Sequence, residues 1–242
     1  MATLATHLAT HFATQIGARP RIRAQLQAAS GLVVLLFVIA HVSNTILLAL
    51  SFTAYDRVQV GLRAVYQQPV AEALLVLALL VHMSCGALAI WQRRGEPALR
   101  RGSVSPRQRW QRRTGWFLLA TVLGHMVATR APSLLADVYP GAGGVSFTVT
   151  FLPLIFYPYY LLFGLAAIYH GASGLQTAAA RFGVRMPIER WLPALTVLGA
   201  VGLILALLGA GGALYAIPDP YANRFAHLVL GIVGRFSGNV MP

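Results

Sequence analysis

Five long apolar blocks dominate this sequence and leave it few ways to fold. They lie near residues 32–52, 70–91, 116–129, 151–175 and 192–215. A helix needs about 20 residues to cross roughly 30 Å of hydrocarbon. Four blocks meet that length directly. The third is short before Arg130, and Thr114 and Gly115 extend it at the front. Only 10% of the 242 residues are charged, against about 25% in a soluble domain. The expectation is an all-α membrane protein with five transmembrane helices.

Around the apolar region 27–216 the chain divides simply. Residues 1–26 read as a tail, since the first 18 are rich in Ala and Thr, carry His7 and His11 and contain no apolar core of a cleavable signal peptide. Residues 217–242, with three prolines, two arginines and His227 around the apolar stretch 228–233, read as an interfacial segment. Cys85 is the only cysteine. It excludes an intrachain disulfide, a cysteine-ligated iron–sulfur cluster and covalent haem attachment through C-x-x-C-H.

All 19 basic residues are arginine. Three precede the first block, eight lie between the second and third, and three between the fourth and fifth, so fourteen share one side. The other side has Arg57, Arg63, Arg130, Arg224 and Arg235. The excess marks the cytoplasmic side, which puts the N-terminus inside and the C-terminus outside. The net charge of +13 is then juxtamembrane, next to anionic headgroups, and does not point to nucleic acid. A cytoplasmic protein can dock on this face.

Within the blocks runs an internal repeat. Ser30-Gly31 stands ten residues before His41, and Thr114-Gly115 ten before His125, about 15 Å along a helix. The second and fourth blocks share His-x-x-x-Gly, at His82 to Gly86 and His170 to Gly174, each with an arginine eleven residues after the histidine, Arg93 and Arg181. The first four helices therefore form two hairpins of one design, a four-helix core, with the fifth helix outside it. Two such hairpins packed about an axis along the membrane normal bring His41 to the depth of His125, and His82 to that of His170.

Ionisable groups inside spans are rare and usually mark function. Four histidines in two matched classes fit two ligand pairs better than one tetrahedral zinc site. Each pair can supply both axial imidazoles of one haem b. With both faces ligated, such an iron moves electrons and does not activate oxygen. Gly86, Gly124, Gly164, Gly171 and Gly174 lie within seven residues of a histidine. They suit the close approach of a flat macrocycle or equally ordinary helix packing. Candidate partners for haem propionates are Arg93 and Arg181, about 16 Å from their histidines along the axis and able to reach back, with Gln27 and Ser30 at the same level and Arg130 near the opposite end.

Gln27-Ala-Ala-Ser-Gly31, Phe37-Val-Ile-Ala-His41, Thr114-Gly115 with His125, and Tyr169-His170-Gly-Ala-Ser-Gly-Leu175 resemble the cytochrome b subunit of succinate dehydrogenases and fumarate reductases. The nearest likeness, over about residues 27–183, is to the single-chain, five-helix, dihaem form. The resemblance implies a bis-histidine haem on the first and third helices nearer the outer face, and a second on the second and fourth nearer the cytoplasm. It further implies a flavoprotein and an iron–sulfur protein as cytoplasmic partners, a membrane quinone (menaquinone or ubiquinone) as electron partner, and Gln27 and Arg181 at the cytoplasmic-side propionates. A bacterial cytoplasmic membrane is the expected location.

Some members carry a glutamate two residues before the fourth histidine, where this chain has Ile168. The family glutamate at the outer quinone site has no clear counterpart, and Glu72 is the substitute candidate, beside Tyr55 and Asp137. No chemistry on succinate or fumarate belongs to such a chain itself. Similar dihaem anchors occur fused to adenylate cyclases, so an alternative role is a redox or quinone sensor that recruits a separate signalling partner.

Overall fold

The structure, a computed structural model, describes residues 20–95 and 105–237. They contain eight α-helices and no strand: α1 Pro20–Ile46, α2 Phe52–Tyr66, α3 Pro69–Gly95, α4 Pro106–Ala136, α5 Gly141–Phe151, α6 Pro153–Arg181, α7 Ile188–Ala210 and α8 Arg224–Ser237. Five segments are long and apolar enough to cross a membrane: Arg21–Ala49, Pro69–Gln92, Pro106–Ala136, Pro153–Arg181 and Ile188–Ala210. Most of the expected tail 1–26 lies outside the described residues. So does the side chain of Arg93, although its backbone continues α3.

Element boundaries correct the sequence reading at three places. The first described helix starts at Pro20, well ahead of the apolar block at 32–52, and proline is tolerated in a first helical turn. The third span is not short: α4 runs 31 residues. It opens on a capping box in which Ser105 accepts from Gln108 N while the Gln108 side chain reaches back to the Ser105 N–H. It closes at Asp137, whose φ of 49° is one that Asp tolerates better than most residues. The block 151–175 is not one element. Leu152 adopts φ −135° and ψ 68° between α5 and α6, since Pro153 cannot donate the bond that would continue α5.

α1 packs on α3, α4 on α6, and α1 on α6, while α7 lies against α6 and α1. The five spans alternate in direction, so α2, α5 and α8 all collect at the end opposite the arginine-rich loops. There they form a cap. Ser51 starts α2 by accepting from Ala54 N at 3.0 Å, and the Asp56 carboxylate receives Ala142 N at 2.9 Å at the start of α5. α8, the amphipathic part of the expected interfacial tail, buries Phe225 and Ala226 against Phe147 and Val138.

The closest packing is in this cap. Leu48, Tyr55, Ala142, Val149, Ala206, Leu207 and Ala210 form its main cluster. Gly209 is required where α7 crosses the turn after α1, because a Cβ there would run into the Leu48 carbonyl, the same oxygen that takes the Tyr215 hydroxyl at 2.6 Å. In contrast, only 6–11% of the central windows of α1, α3, α4 and α6 is buried, against 28% for α7. Residues of these four helices line a cavity between them.

Candidate functional site

The cavity runs along the four-helix axis with a volume of about 1660 Å³, and all four span histidines line it. His41 of α1 meets His125 of α4 with ring centres 6.1 Å apart and planes at 68°. His82 of α3 meets His170 of α6 at the same 6.1 Å and 88°. The pairs are those expected from the sequence. Among the described residues no group of three or more His, Cys, Asp or Glu side chains that could hold a metal ion comes together.

The His82–His170 couple is held by the main chain of the facing helices. His82 Nδ1 lies 2.9 Å from the Gln27 carbonyl, and His170 Nδ1 lies 3.1 Å from the Gln111 carbonyl. A carbonyl only accepts, so each Nδ1 carries the proton and donates, and the lone pair is left on Nε2. Gly31 and Gly115 make the approach possible. A Cβ at Gly31 would sit 2.7 Å from His82 Nδ1, and one at Gly115 would sit 2.9 Å from His170 Cε1. The Gln27 side chain packs over Gly86 and that of Gln111 over Gly174.

His41 and His125 have different surroundings. Phe37 stacks on His41 at 5.4 Å and 11°, and Phe163 leans on His125 at 5.0 Å and 45°. The Thr45 and Thr129 hydroxyls donate to the His41 and His125 carbonyls at 2.9 and 2.8 Å. Among the described residues His41 Nδ1 is buried without a hydrogen-bond partner.

Toward the cap the cavity becomes polar. Tyr55, Gln59, Arg63 and Tyr66, at positions 0, 4, 8 and 11 along α2, lie on one helical face and line its wall. Buried Asn44 donates to Gln59 Oε1 at 2.7 Å, and Gln59 Nε2 donates to the Tyr66 hydroxyl at 2.7 Å. Burial pushes both Tyr55 and Tyr66 above the ordinary tyrosine range, with the neighbouring Asp56 adding to the effect on Tyr55 and the Gln59 hydrogen bond opposing it on Tyr66. Arg130 of α4 grips Glu72 of α3 with two bonds, Nε to Oε1 at 2.5 Å and Nη2 to Oε2 at 2.7 Å, and adds Nη1 to Ser133 Oγ at 2.7 Å.

The remaining expected residues divide. Gln27, Arg181, Arg130, Glu72 and Tyr55 border the cavity. Ser30 does not: its hydroxyl donates to the Leu26 carbonyl at 2.6 Å, inside its own helix. Asp137 is exposed at the end of α4 and borders no part of the cavity. All five glycines near histidines border the cavity, and a Cβ at Gly164 or Gly171 would also meet Leu203 or Leu35. Nothing lies within 4 Å of a Cβ at Gly124. The sequence reading missed Gln111, although it stands 84 residues after Gln27, the spacing that separates His41 from His125. It also missed Gln59, Arg63 and Tyr66, whose helical spacing was the available signal.

Comparisons of this chain with protein-family profiles, with curated proteins and with solved structures found no match.

Proposed function

We propose that the chain is a dihaem cytochrome b, the membrane-anchor subunit of a succinate dehydrogenase or fumarate reductase. In this reading it carries electrons between an iron–sulfur partner, itself joined to a flavoprotein on the arginine-rich cytoplasmic face, and quinone in a bacterial cytoplasmic membrane. The observation that supports it most is the two imidazole couples, each with centres 6.1 Å apart, in one cavity. With a metal–imidazole bond of about 2 Å on each side and the ring radius added twice, a shared metal puts two ring centres about 6 Å apart. Two facing imidazoles per site are the ligand set that a haem would take. Drug-sized pockets hold about 300–1,000 Å³, so a cavity of about 1660 Å³ has room for more than one bulky planar group.

His41 with His125, and His82 with His170, would each hold one haem, which would supply reversible one-electron chemistry. The protein's part is ligation, spacing and charge. His82 and His170 offer Nε2, with the tautomer set by the Gln27 and Gln111 carbonyls. Gln27 and Arg181 stand at the arginine-rich end of the cavity as partners for propionates. Arg130 is a cation at the other end, and a propionate there would exchange with the Glu72 carboxylate. Tyr55, Tyr66 and Glu72 give that end the hydrogen-bonding groups a quinone needs, and the apolar span walls suit its ring and tail.

A reduced-minus-oxidised spectrum of the purified protein tests the reading. It should show a b-type α-band, with two haems per chain by pigment extraction. His41→Ala or His125→Ala should remove one haem, and His82→Ala or His170→Ala the other. A full-length preparation without the α-band would end the proposal.

A further inference from the structure

Resting on the haem reading, we infer that Gly31 and Gly115 are positioning residues. By keeping the helix surface bare, they let His82 and His170 bond to the Gln27 and Gln111 carbonyls, and so make this couple a stronger electron donor to iron than the His41–His125 couple.

The construction occurs twice, 84 residues apart on α1 and α4 and 88 apart on α3 and α6. Within each helix the glutamine carbonyl accepts the N–H four residues on, that of Gly31 or Gly115. The hydroxyl just before the glycine approaches the same carbonyl, Ser30 Oγ at 3.3 Å and Thr114 Oγ1 at 3.1 Å, while bonding more closely to the preceding residue's carbonyl at 2.6 and 2.9 Å. Hydroxyls bonded back in this way often bend a helix. The imidazole Nδ1–H then takes a remaining lone pair, across a surface where a Cβ would sit 2.7 Å from His82 Nδ1 or 2.9 Å from His170 Cε1. The hydroxyl-glycine pair thus serves the histidine of the neighbouring helix, not the histidine ten residues along its own.

A hydrogen bond from Nδ1 to a carbonyl raises the basicity of the ligating nitrogen. A more basic axial ligand favours ferric iron and lowers the potential, a lever separate from nearby charge. His41 Nδ1, buried without such a partner among the described residues, lacks that contribution. The two couples are therefore chemically unequal despite equal ring separations.

The test is potentiometric titration of the wild type, Gly31→Ala and Gly115→Ala in detergent or nanodiscs, followed by optical and electron-paramagnetic-resonance signals. Each variant should keep both haems and raise the midpoint potential of the His82–His170 centre alone. Gly199→Ala, whose Cβ would meet Ile168 Cδ1, lies in ordinary packing and should shift neither potential even if it lowers stability. Should either cradle variant fail to fold, pulsed resonance on wild-type protein with ¹⁵N-histidine reads the same property. It should find a strongly hydrogen-bonded, exchangeable Nδ1 proton at one centre and a weaker one at the other. Unchanged potentials in both cradle variants, or identical Nδ1 environments in the wild type, would overturn the inference. A wild type without haem would instead overturn the function on which it rests.

Discussion

The two histidine couples are matched in spacing and unlike in nearly everything else. His82 and His170 are oriented by helix main chain supplied by the repeat itself, with arginines beyond them. His41 and His125 are flanked by Phe37 and Phe163 and lie next to a polar wall supplied by α2, which the repeat does not contain. Matched offsets of 84 and 88 residues therefore accompany equal ring separations in both couples and a main-chain cradle in only one. The environment of the other comes from the cap, where the chain is also best packed.

The largest expected effect separates the couples outright. Under the proposed function, the haem signal that remains in a His170→Ala protein should match the signal lost from His125→Ala, in spectrum and in potential. If each couple holds a haem with its ring planes crossed at 88° or 68°, the two low-spin ferric resonance signals should differ, with the larger g-anisotropy at the more perpendicular couple. Two single variants that each lose both signals would mean the couples are not independent sites.

How much of this was legible beforehand differs between the two halves for a physical reason. Blocks of about 20 apolar residues announce spans because hydrocarbon thickness demands them, and the 84- and 88-residue offsets paired the histidines because a parallel repeat preserves depth. Gln111 follows the same offset, yet it sits among Arg107, Arg109, Arg112 and Arg113, where charge dominated the reading, and its carbonyl rather than its side chain makes the bond. The cap was hidden differently. α2 mixes Tyr55, Gln59, Arg63 and Tyr66 into a segment between spans, and α5 opens on Gly141-Ala-Gly-Gly144, a composition that marks a loop. Its residues become helical because Asp56 and the walls of α6 and α7 receive them, a tertiary cause with no local signature. Asp137 and Ser30 were proposed from residue type and level, and neither type nor level says which way a side chain is already engaged.

A second way to sharpen the contrast is to break the polar wall. Gln59→Leu removes the link between Asn44 and Tyr66 and leaves buried Asn44 without its acceptor, a cost of about 1–3 kcal/mol. Thermal unfolding should register that loss. The His41–His125 signal should shift while the His82–His170 signal stays fixed, and equal shifts at both would show that the cap is not private to one couple.

Arg130→Gln should act more weakly. The Arg130–Glu72 pair is about a quarter exposed on each side, 26% and 29%, so its loss falls between the exposed and buried limits, at about 1–2 kcal/mol. The double variant Arg130→Glu with Glu72→Arg should recover part of the stability of either single change, since the bridge between α3 and α4 is then remade with reversed polarity. No recovery would mean that Arg130 matters for the cavity and not for the bridge.

The smallest expected effect is in alkaline solution and again concerns only the cap. Tyr55 and Tyr66 both titrate above the ordinary value of 10.0 because burial disfavours the phenolate. As pH rises past that value the unfolded chain loses phenolic protons that the folded chain keeps, so the folded state binds more protons and its stability falls with pH. The stabilisation is complete below pH 10.0 and declines progressively above it. Tyr55→Phe should flatten this decline as followed by cap-end hydrogen exchange, while the exchange of amides around His82 and His170 should follow the same curve in both proteins. A decline that is unchanged in Tyr55→Phe would assign the alkaline sensitivity to groups outside the cap, and the division between a repeat-built half and a cap-built half would then not extend to their response to pH.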